Sequence, residues 1–79
     1  MWGMLGAAVI AKRRAAAKEL VARVVGMPMM DAVKAIKDAE LEVQFLEVDG
    51  VPQAANAQFK PERLGLVVAK GRVTGAQIG

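Results

Sequence analysis

The chain of 79 residues has no cysteine, no histidine and no tyrosine, and only one tryptophan and two phenylalanines. Without cysteine there is no disulfide to staple a small fold and no thiolate for nucleophilic or metal chemistry. Without histidine the usual proton shuttle near neutral pH is missing as well. Those absences argue against an enzyme: no catalytic residue, metal ligand or cofactor site is expected. They also fit a reducing compartment, so the cytoplasm is slightly favoured. Uninterrupted apolar sequence is short too. Residues 1–11 carry no charged side chain, but a bilayer span needs about 20 residues. A secretory leader would carry its positive charge before the apolar run; here Lys12-Arg13-Arg14 follows it.

Charge is unevenly distributed. The net +3 of the chain arises in residues 1–25, where Lys12, Arg13, Arg14, Lys18 and Arg23 face only Glu19. Residues 26–79 hold six cations against seven acids, so this part has no nucleic-acid character and no nucleic-acid partner is expected. The chain divides accordingly into an N-terminal basic, helical extension over 1–25 and a small domain over 26–79. A domain of that size leaves much of its apolar surface in water.

Local patterns define the elements. Ala, Lys, Glu, Arg and Leu dominate residues 5–25 and favour a helix, with Leu20, Val21, Val24 and Val25 as its apolar stripe and Gly26 as its stop. Pro28 and Asp31 mark the start of a second helix, amphipathic through Met29, Met30, Ala32, Val33 and Ile36. Residues 41–48 begin with apolar–polar alternation and predict a strand whose Leu41, Val43, Phe45 and Leu46 face the helix. Asp49-Gly50 signals a turn. Residues 51–58 show neither charge nor a strand pattern. Residues 64–69 form a dense apolar strand, Lys70-Gly71 turns the chain, and residues 73–78 make a last strand. The resulting class is α+β: an N-terminal helical extension, one helix on a small mixed sheet, and a long exposed loop between two parallel strands. Loops of such length in compact domains are often functional.

Three fragments then stand out: Val25-Gly26, Phe59-Lys60-Pro61-Glu62-Arg63-Leu64, and Gly71-Arg72-Val73-Thr74 leading to Gly79. Together they resemble the potato inhibitor I family of serine-protease inhibitors, small bacterial relatives included, over residues 24–79. The resemblance implies that the loop enters a protease active site like a substrate, held stiff enough that cleavage is slow. It places the protease-binding loop at Ala55, Asn56, Ala57, Gln58 and Phe59, with Ala57–Gln58 as the reactive bond. Ala57 suits a small primary pocket, as in subtilisin- or elastase-like enzymes. Arg63 matches the family arginine that supports the loop from below, and Gly65 stands where the family carries a second arginine.

A weaker resemblance, in Val24-Val25-Gly26-Met27 and Leu66-Val67-Val68-Ala69-Lys70-Gly71, is to PASTA modules and implies cell-wall peptide binding. A third reading concerns residues 1–25 alone: an interaction helix that makes a homo-oligomer or contacts a membrane.

Overall fold

The computed structural model describes residues 2–55 and 58–79, with side chains described from Ala11 onward. Two helices precede four strands: α1 Trp2–Arg23, α2 Met29–Asp38, β1 Glu42–Val48, β2 Val51–Pro52, β3 Arg63–Ala69 and β4 Arg72–Ile78. The strands form one mixed sheet in the order β2-β1-β3-β4. Neighbouring β1 and β3 run parallel, and the outer pairs are antiparallel.

Both tight turns of the sheet follow from the same dipeptide chemistry. Asp49-Gly50 and Lys70-Gly71 each place two successive residues at positive φ, 51° and 81° in the first, 53° and 77° in the second. Such pairs match the right-handed twist of the strands they join, and glycine at the second position carries no Cβ penalty. The Asp49 carboxylate ties the two turns together by accepting the Lys70 backbone N–H at 2.7 Å.

One face of the sheet carries the core. Leu64, Leu66 and Val68 alternate inward along β3 and are buried, as expected for a central strand. They meet Ala32 and Ile36 of α2, Val73 of β4 and Leu41, with Val43 and Phe45 packed at the margin. The C-terminal half of α1 contributes Ala17 and Leu20 to the same cluster, and Val24 just past its end joins them, at the i, i+3, i+7 spacing of one helix face. The main chain after α1 is pinned to β4: Gly26 donates to Val73 at 2.8 Å, Val73 to Met27 at 2.9 Å, and Met29 to Gly71 at 2.8 Å.

Several details differ from the sequence expectation. The first helix begins at Trp2 and ends at Arg23, and Val25 is exposed rather than part of the buried stripe. Met30 is exposed, whereas its neighbour Met29 packs against the core. Residues 51 and 52 form a short strand that pairs with the end of β1. Leu46 does not join Leu41, Val43 and Phe45: the register of β1 against β3 slips between Phe45 and Glu47. A bulge of this kind re-aims a side chain, and Leu46 lies over Gly65.

Candidate functional site: the loop between the parallel strands

A parallel pair of adjacent strands obliges the chain to travel back the length of β1 before β3 can begin, a return of roughly 23 Å for seven residues. The first part of the return stays on the sheet. Glu47 pairs with Pro52 and Val48 with Val51, and the Gln53 N–H donates to the Leu46 carbonyl at 2.9 Å. From Gln53 to Lys60 every described residue is exposed. The far end is fixed again: Lys60 forms an ion pair with Glu42 at 3.0 Å, and the Glu42 N–H donates to the Glu62 carbonyl at 2.9 Å. The exposed middle is thus hung between two anchors on the same strand, β1.

Arg63 opens β3 and is only 6 % exposed. Burying a guanidinium is costly unless its donors are used, and Arg63 Nη2 donates to the backbone carbonyl of Gln58 in the loop. A planar fork with five donors suits this task better than a lysine point charge. Arg63 also fixes the chain terminus, because its carbonyl accepts the Gly79 N–H at 2.8 Å. Gln44 Nε2 donates to the Gly79 carbonyl at 3.1 Å.

Phe59 is 67 % exposed, yet one side of its ring rests on that terminus. A Cβ at Gly79 would lie 2.9 Å from the ring, so glycine lets the aromatic ring sit close. Beneath the loop, Ala55, Gln58 and Phe59 form one wall of a cavity of about 300 Å³, with Gln44, Leu46 and Gln77 among its floor residues. Of the residues implicated from sequence, Ala55, Gln58, Phe59 and Arg63 come together here. Asn56 and Ala57 lie outside the described residues. The sequence reading did not assign Gln44, Leu46, Gly79 or the Lys60–Glu42 pair to this site. A glycine at position 65 inside an apolar strand was the available signal for Leu46, because such a glycine often marks a close approach.

The site offers backbone carbonyls, amides and one buried cation. Among the described residues, no group of three His, Cys, Asp or Glu side chains is placed to hold a metal ion. Comparison with family models, with curated proteins and with solved structures gives no match for this chain.

Proposed function

We propose that the protein is a serine-protease inhibitor of the potato inhibitor I kind, which offers residues 55–59 to the enzyme in the manner of a substrate. The observation that carries this reading is Arg63, buried under the loop with its guanidinium on the Gln58 carbonyl. In the proposed complex that carbonyl lies immediately after the reactive bond Ala57–Gln58. A loop ordered before docking loses little conformational freedom on binding, and this raises affinity without any added contact. Bracing on the leaving-group side also keeps the new amine beside the acyl group after cleavage, so that religation competes with release. The exposed Phe59 and the main chain supply most of the contact, since Ala57 has little surface to bury. Two anchors on β1 and the C-terminal rest for Phe59 support the same reading.

The test is a panel of subtilisin, elastase, chymotrypsin and trypsin, with inhibition constants and cleavage sites recorded together. Tight inhibition of a small-pocket enzyme, with slow nicking between Ala57 and Gln58, is the expected result. Rapid proteolysis elsewhere in residues 53–60 would refute the proposal. Ala57→Leu is expected to move preference towards chymotrypsin by at least roughly 10-fold, since a single methylene in an apolar pocket changes selectivity by about 10- to 200-fold. Unchanged selectivity would show that the reactive bond lies elsewhere.

A further inference from the structure

The α1 helix is a single run from Trp2 to Arg23, about 33 Å long at 1.5 Å per residue. Among the described side chains, Ala17 and Leu20 of its second half belong to the buried core cluster, with Val24 just beyond its end. Its chemistry is divided along its length. Residues 2–11 contain no charged side chain, and Lys12, Arg13, Arg14 and Lys18 follow within the next two turns. Arg13 is committed to Glu40 at 2.9 Å, whereas Lys12, Arg14 and Lys18 are exposed.

An apolar segment beside a cluster of cations asks for an apolar and an anionic surface side by side. A second copy of this chain fits poorly in either direction. Parallel packing of two α1 helices brings ten cations together, and antiparallel packing sets the cationic turns of one helix on the apolar turns of the other. An anionic lipid bilayer is complementary to both halves at once, with acyl chains for residues 3–11 and negative headgroups for the cations beside them. No helix among the described residues is long and apolar enough to cross a membrane, so the mode of contact is surface docking. The helix start has backbone N–H groups without intrahelical partners, which stay at headgroup level because hydrocarbon offers them no acceptor. Trp2 belongs at that level too, where an indole keeps its N–H wet and its rings in lipid.

We propose that residues 2–18 dock this protein on the surface of anionic membranes, lying in the boundary between headgroups and acyl chains. Trp2 is the only tryptophan and there is no tyrosine, so intrinsic emission reports this end of the helix directly. The full chain is titrated with vesicles of phosphatidylcholine alone and of phosphatidylcholine mixed with phosphatidylglycerol. On the mixed vesicles the Trp2 emission is expected to move to shorter wavelength and to be quenched more by lipids brominated near the headgroup than by lipids brominated deep in the chain. The double variant Leu5→Asp, Val9→Asp loses the shift. The double variant Lys12→Gln, Arg14→Gln alters exposed side chains and leaves the fold intact, as circular dichroism checks; its affinity for the mixed vesicles falls roughly 30-fold, from about fivefold per cation. Three results would overturn the proposal: no Trp2 shift on anionic vesicles, undiminished binding by the Lys12/Arg14 variant, or a concentration-dependent shift without lipid, which would give the segment to a second copy.

Discussion

On the proposed inhibitor function, Arg63→Ala is expected to turn a slowly cleaved inhibitor into an ordinary substrate. The guanidinium is buried and its Nη2 donates to the Gln58 carbonyl; a hydrogen bond to a charged group contributes about 1.5–3 kcal/mol. Lost from the bound loop, that energy corresponds to a weakening of inhibition by roughly 10- to 150-fold. Cleavage should accelerate by more than binding weakens, because the product fragment after Ala57–Gln58 is no longer held for religation. Arg63→Lys separates bracing from mere positive charge: a point charge on a flexible stem does not reproduce the planar fork, so this variant should also be cleaved quickly. Stability falls as well, since the buried Arg63 side chain ties the start of β3 to the loop. Thermal unfolding of uncleaved protein measures that part separately. An Arg63→Ala protein that keeps its potency and resists cleavage would end the role assigned to this residue, and the inhibitor proposal with it.

The sheet was legible in the sequence for concrete reasons. Asp49-Gly50 and Lys70-Gly71 are dipeptides that relieve the steric cost of positive φ, and both occupy it here. Leu64, Leu66 and Val68 are spaced for one face of a buried strand, and that face holds the core. The parallel pairing of β1 with β3 follows from a connection too long for a hairpin and too poor in pattern for a helix. What escaped sequence reasoning was set by contacts between distant residues. Val51-Pro52 is too short to show alternation, and it is a strand only because β1 offers it a ladder. Val25 and Leu20 look alike in sequence, but α1 ends at Arg23, so Val25 falls in the turn beyond it and is exposed while Leu20 stays in the core. The sequence places Phe59 in the exposed loop, but not the contact of its ring with Gly79, where the absence of a side chain lets the ring sit close. The position of Leu46 depends on a register slip opposite Leu66 and Val67, which no local pattern announces.

That slip leads to the second large effect, at Gly65. A Cβ at this position would lie 2.8 Å from Leu46 Cδ1 and 2.9 Å from Cγ, well inside van der Waals contact. The side chain of Leu46 therefore occupies the space above Gly65, and Gly65→Arg is expected to destabilise the fold by about 1–3 kcal/mol, the usual range for overpacking. Gly65→Ala should cost less, because the atoms in the way are the end of a flexible side chain and turn aside more readily than backbone. Leu46→Ala removes the obstruction. If occupancy of one space is the whole conflict, Gly65→Arg and Leu46→Ala together are less destabilising than the sum of the two single changes, with a coupling of about 1–3 kcal/mol. The double variant also sets a second guanidinium on the face of β3 that bears Arg63, beneath the cavity of about 300 Å³ under the loop. Hydrolysis at Ala57–Gln58 should then be slower than in the parent, because a loop supported at two points reopens less often. Chemical denaturation of the four proteins, paired with cleavage rates by the inhibited enzyme, decides the matter. Strict additivity would show that Leu46 and Gly65 do not compete for the same volume. Coupling without slower cleavage would place the limit on loop rigidity at Arg63 rather than in the cavity beside it.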